Sequence, residues 1–100
     1  MNKEAVIGSL NHPLRREILK HVVEKDEPLS PDRLAKEFGQ PFGNVSYHVR
    51  HLKAAGALVL VDRQPVRGSL QHYYRHSTTV TSSAWVRALL GLPPVDGERR

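Results

Sequence analysis

One hundred residues, 39% of them hydrophobic, suffice for a single domain with one modest core and exclude a cofactor-binding domain joined to a substrate domain. The formal charge of +5 favours a polyanionic partner, while zero cysteines exclude disulfides, thiolate zinc sites and thiol nucleophiles. No apolar run approaches the about 18 residues of a membrane span, and the N-terminus lacks a secretory hydrophobic segment; both predict a soluble, cytoplasmic protein with no membrane partner.

The first predicted helix covers residues 3–9, with Val6, Ile7 and Leu10 on one side. It is too short to hold alone in water and must dock on something. A second helix starts at Pro13, whose fixed φ suits a first turn, and runs to about Val23 on a stripe of Leu14, Ile18, Leu19 and Val22. Arg15 falls inside that stripe and is expected to snorkel or pair with a carboxylate. The third helix carries the fullest set of signals: Ser30 as N-cap, Pro31 at the first position, Asp32 in the first turn, Leu29 and Leu34 as a staple, and Gly39 as a left-handed stop.

A fourth helix starts at Pro41 and runs to about residue 55, where Gly56 stops it. The tight glycine-containing corner between helices three and four is the signature of a helix-turn-helix. Within the fourth helix Val45, Val49 and Leu52 gather on one side, while Gly43, Ser46, Tyr47 and Arg50 point the other way. Such a helix can bury one face and offer the other to a groove of DNA. Residues 57–61 predict a strand, residues 63–69 a loop, and residues 70–76 a second strand; together they make a hairpin, or wing, over about residues 57–76. Residues 78–83 offer several caps for a last helix to about Leu90, whose narrow stripe of Trp85, Val86 and Leu89 suits a partner helix. The predicted fold is mainly α with a two-stranded β wing, a winged helix-turn-helix over residues 1–90 followed by a flexible tail, residues 91–100.

Charge follows the same plan. Residues 1–37 carry seven basic and seven acidic side chains, whereas residues 38–76 carry five basic (Arg50, Lys53, Arg63, Arg67, Arg75) against Asp62 alone. The excess sits where a groove-binding surface needs it.

Leu10-Asn-His-Pro-Leu-Arg-Arg-Glu-Ile-Leu19, Leu34-Ala35, Val45-Ser-Tyr-His-Val-Arg-His-Leu52, Ala55-Gly56 and Tyr73-Tyr74-Arg75, in this order of elements, resemble the ArsR-type winged helix-turn-helix transcription regulators over about residues 10–76. The resemblance implies a homodimer built from the terminal helices, the fourth helix in the major groove, the wing on the backbone or in the minor groove, and repression lifted by a metal or another signal. The chain departs from the metal-sensing members: residues 29–34 hold no cysteine, and residues 80–90 hold no histidine, aspartate or glutamate. The resemblance therefore implies DNA binding and leaves any effector unidentified.

Tyr47 and Arg50 are the expected base readers, since a guanidinium there can pair bidentately with guanine. Gly43 and Ser46 permit close approach and a phosphate at the helix N-terminus; Gln40, Phe42 and Asn44 flank it, Phe42 lying nearer the apolar side, where a core position is expected. Arg63, Gln64 and Arg67 on the wing suit phosphate or minor-groove contact. Val6, Ile7, Leu10, Val80, Trp85, Val86 and Leu89 form the expected dimer interface.

Of the six histidines, His48 faces the edge of the core and His51 leans toward solvent, while His72 and His76 lie about 13 Å apart on one strand, too far for one metal. No metal and no cofactor are expected. No carboxylate orients Ser46 with His48 or His51 and no glycine-rich phosphate loop is present, so no enzyme is expected either. The reading is a homodimeric sequence-specific DNA-binding regulator, a repressor, whose partners are double-stranded DNA and itself. Its alternative is a winged-helix protein-interaction module that never binds nucleic acid, for which a convergence of Arg50, Arg63 and Arg67 on one face would be pointless.

Overall fold

The computed structural model describes residues 2–95. They form α1 (Lys3–Leu10), α2 (Pro13–Lys25), α3 (Pro31–Phe38), α4 (Phe42–Ala54), β1 (Leu58–Val66), β2 (Ser69–His76), α5 (Thr78–Thr81) and α6 (Ala84–Leu90), with β1 and β2 an antiparallel pair. Local chemistry sets the helix starts. The side chains of Asn2, His12 and Ser30 accept from Ala5, Leu14 and Arg33 N–H, each satisfying a first-turn donor that has no partner inside its helix. Asp26 and Gly39, both left-handed, stop α2 and α3. Gln40 N–H then donates to Ala35 O at 3.0 Å, reversing the chain so that α4 starts after only Gly39, Gln40 and Pro41.

Helix α4 is the centre of the packing, touching α1, α2, α3 and β1. Its Val45, Val49 and Leu52 are fully buried against Ile18, Leu19 and Val22 of α2, Leu34 of α3 and Leu58 of β1. Because neighbours cover three sides of α4, the remaining side is the one that can meet another molecule.

The hairpin differs from the expected one. Residues 63–69 are not a loop: the strands continue to Val66 and from Ser69, and only Arg67 and Gly68 turn the chain. Both have positive φ, 52° and 81°, the geometry of a type I′ turn whose twist matches that of the strands. Pro65 is tolerated because the ribbon has only two strands. The register shifts at Val61, which has no opposite residue between the pairs Leu60–Tyr74 and Asp62–Tyr73. Without that bulge Arg63 would face Gln71; with it Arg63 pairs with His72 and moves to the other face of the ribbon. At the base of the wing Leu29 and Tyr74 exchange two backbone hydrogen bonds of 2.9 Å, tying β2 to the residue before the Ser30 cap of α3.

The last helix is also not one piece. Serine and threonine hydroxyls compete for the backbone here, Thr81 donating to Ser77 O at 3.0 Å, and the chain breaks at Ser82 and Ser83 between α5 and α6. Burial corrects the expected dimer face. Val6, Leu10, Val80 and Val86 fill the chain's own core, at 0–3% exposure, because α1 packs on α2 and α4, α6 packs on α2, and α5 packs on α6. Ile7 and Leu89 stay exposed and Trp85 is half-buried. Of the tail expected at residues 91–100, Gly91 is the left-handed cap of α6 and Leu92 packs on the core, its N–H donating to Arg87 O; residues 96–100 lie outside the described residues. The architecture is a winged helix-turn-helix.

Candidate nucleic-acid interface

The uncovered side of α4 carries Phe42, Gly43, Asn44, Tyr47 and Arg50, all exposed, with Ser46 half-buried and Gln40 exposed just ahead. Phe42 is thus not a core residue, contrary to its place near the apolar side of the helix. It is 54% exposed because the short corner before α4 leaves nothing to cover its ring. Arg50 Nη1 donates to Ser46 Oγ at 2.7 Å, one turn back, which holds the guanidinium against the helix and draws it toward the N-terminal end. Ser46 therefore orients a cation here.

The N-terminus of α4 is open. Unlike those of α1, α2 and α3, its first turn receives no side-chain cap, because Pro41 occupies the capping position. Its orphan N–H groups and the positive end of the helix dipole suit an anionic oxygen. A Cβ added at Gly43 would meet nothing within 4 Å, so the chain's own packing does not demand glycine there.

On the wing Arg63, Gln64 and Arg67 are all exposed. Asp62 organises the first two, accepting from Arg63 N–H at 2.8 Å and from Gln64 Nε2 at 2.9 Å. Arg67 projects from the turn itself in a left-handed conformation that asparagine or glycine adopts more readily. An open cleft runs between the two elements, with Phe42, Ser46 and Arg50 on one wall, Leu70, Gln71 and His72 on the other, and Asp32 from the first turn of α3. Arg50 lines it, and Arg63 is paired with His72 of its other wall. Leu70, Gln71, His72 and Asp32 were invisible to periodicity; only the pairing of Arg63 with His72 identifies that face, and the Val61 bulge sets that pairing.

The opposite flank of α4 is a histidine cluster. The His48 ring, 5% exposed, lies 4.4 Å from that of His12 and packs edge-on against Tyr47, while His51 Nδ1 lies 3.0 Å from Ser9 Oγ of α1. Half-buried Arg15 forms no ion pair among the described residues, and its Nε and Nη1 are buried without hydrogen bonds, as is His48 Nδ1. Desolvation, reinforced by His12, Arg15 and His51, holds His48 below the ordinary imidazole range. The folded state therefore keeps this ring neutral while the unfolded chain binds a proton below about pH 6.5. Its contribution to stability is complete above that pH and is lost as pH falls from there through the folded value. Urea midpoints at pH 7.5 and 5.5 are expected to differ more for the wild type than for His48→Gln; an equal difference in both proteins would overturn the assignment.

The other histidines join elements. His21 Nε2 lies 2.6 Å from Glu37 Oε1, linking α2 to α3, and His76 lies between Thr81 Oγ1 and Asp26 Oδ1. Partial desolvation raises the Glu37 carboxyl, but hydrogen bonds and charge from His21 and Arg33 outweigh it and leave the group below the usual carboxylate range. Among the described residues no group of three or more His, Asp or Glu is placed to hold a metal ion, and no helix is long and apolar enough to cross a membrane.

Comparison with known proteins agrees with the fold. A family model described as a helix-turn-helix domain matches residues 10–61, from the start of the predicted motif into β1. No curated protein matches the chain. Among solved structures, the crystal structure of a transcriptional regulator, HlyU from Vibrio vulnificus CMCP6, superposes with a TM-score of 0.59 at 17% identity, covering 89% of this chain and 80% of that one.

Proposed function

The chain belongs to the helix-turn-helix domain family, which is not a family of enzymes, and from that premise we propose that it is a homodimeric, sequence-specific DNA-binding transcription regulator, a repressor acting in the cytoplasm. In this reading α4 enters the major groove, Arg50 and Tyr47 read base edges, the open N-terminus of α4 takes a phosphate, and Arg63, Gln64 and Arg67 meet backbone or minor groove. The observation that carries it is the exposed Arg50 on one wall of a cleft whose other wall belongs to the wing, which itself exposes Arg63 and Arg67, next to a helix terminus left uncapped. The structurally similar HlyU, a transcriptional regulator, supports the same reading.

Two substitutions separate DNA binding from folding. Gly43→Ala meets no clash and removes a glycine from a helix, raising stability by about 0.5–1 kcal/mol. Arg67→Asn puts a preferred residue before Gly68 in the I′ turn and likewise stabilises. Both are expected to weaken binding to duplex DNA while raising the melting temperature, Gly43→Ala by filling the close approach and Arg67→Asn by removing a phosphate contact equally from all sequences. Wild-type affinity should fall with salt at a log–log slope of about −0.9 per phosphate neutralised, and Arg67→Asn should reduce that slope by about one. A slope near zero, or no binding to a pool of random duplexes, would leave a protein-interaction module instead.

A further inference from the structure

Phe42 is the feature of the cleft that a purely electrostatic DNA surface does not require. It and Leu70 are each 54% exposed, they line opposite walls of the same cleft, and neither serves the core. Large apolar side chains exposed on facing walls mark a contact with another molecule. The surrounding charge narrows what that molecule is: Arg50 lines the wall that carries Phe42, Asp32 at the start of α3 is the one carboxylate of the lining, and Arg63, opposite His72, lies on the same face of the ribbon as Leu70 and its partner Pro65. An occupant that is apolar in one spot and anionic where it meets Arg50 and Arg63 fits these walls. In the major groove of a duplex one base group answers this description, the C5-methyl of thymine, which stands near its own sugar-phosphate strand.

We propose that Phe42 is a specificity-determining residue that reads a thymine methyl, with the sugar of the same strand lying against Leu70. The inference rests on the DNA-binding reading above. Its spacing follows from the helix. Ser46 holds the Arg50 guanidinium at 2.7 Å, at the level of residue 46 and so about 6 Å along the axis from Phe42. At about 3.4 Å per base pair, the thymine read by Phe42 lies within about two steps of the guanine read by Arg50.

Selection of bound duplexes from a random library supplies the site, after which each thymine in it is replaced in turn by deoxyuridine, which removes the methyl and changes nothing else. One position per half-site, within two steps of the guanine, is expected to bind the wild type about fourfold more weakly as deoxyuridine. Phe42→Ala, which unfolds nothing because its ring is exposed, should bind the thymine and deoxyuridine duplexes equally. Leu70→Ala should weaken both duplexes and keep the fourfold ratio. If every thymine can be replaced without loss, or if Phe42→Ala keeps the wild-type ratio, the methyl reading is wrong while sequence-specific binding stands. If the library yields no enriched duplex, the DNA-binding reading itself fails.

Discussion

Val49→Asp leaves no folded domain. The side chain is fully buried in the apolar cluster that also holds Val45 and Leu52. A carboxylate there has no partner, and an unpaired buried charge costs several kcal/mol even after relaxation, on the order of the whole stability of a small domain. Far-UV circular dichroism should lose its cooperative melt, and DNA binding should vanish with it. The neighbouring Arg50→Ala is the contrast: its side chain is exposed and held by Ser46 alone, so the melt is retained while base preference relaxes at one or two positions, by about 1–3 kcal/mol. A Val49→Asp protein that melts cooperatively near the wild-type temperature would mean that α4 presents a different face to the core.

The contrast between Val49 and Arg50 was legible in the sequence because helical periodicity alone assigns them to opposite faces. So was α3, whose Ser30 cap, Pro31 start and Gly39 stop act through bonds within a few residues of themselves. What could not be read depends on distant neighbours. Phe42 sits at the border of the apolar face, and whether it is covered depends on the path of the corner before α4, not on its position on a helical wheel. The Val61 bulge that pairs Arg63 with His72 leaves no local mark, and Pro65 disguised a strand as a loop. For Arg15, a place inside the apolar stripe of α2 suggests a snorkelling or ion-paired side chain, whereas the approach of α4 buries part of its guanidinium beside His48 without a partner. For α1 and α6, stripes that suited a partner helix turned out in large part to suit the chain's own core, since a sequence shows that a face is apolar but not what covers it.

The residual apolar face still matters to the proposed dimer, and moving the half-sites apart is expected to have the largest effect on binding. Ile7 at 45% and Leu89 at 48% exposure flank the half-buried Trp85, over which the Lys3 ammonium sits 5.1 Å from the ring centroid. Two copies joined across this face by a two-fold axis would present two α4 helices to one side of a duplex, with half-sites about 34–36 Å apart. Inserting five base pairs rotates one half-site to the far side of the helix, and the gain from simultaneous engagement, about 10²–10⁴-fold, should disappear, leaving the affinity of a lone half-site. Ile7→Lys with Leu89→Lys should produce the same loss on the unaltered site without affecting the melt, because neither side chain belongs to the core. Sedimentation at micromolar concentration reads the cause directly: the wild type should run as a dimer and the double variant as a monomer. A wild type that stays monomeric both free and on DNA, and binds a half-site as tightly as a full one, would make this face an ordinary surface.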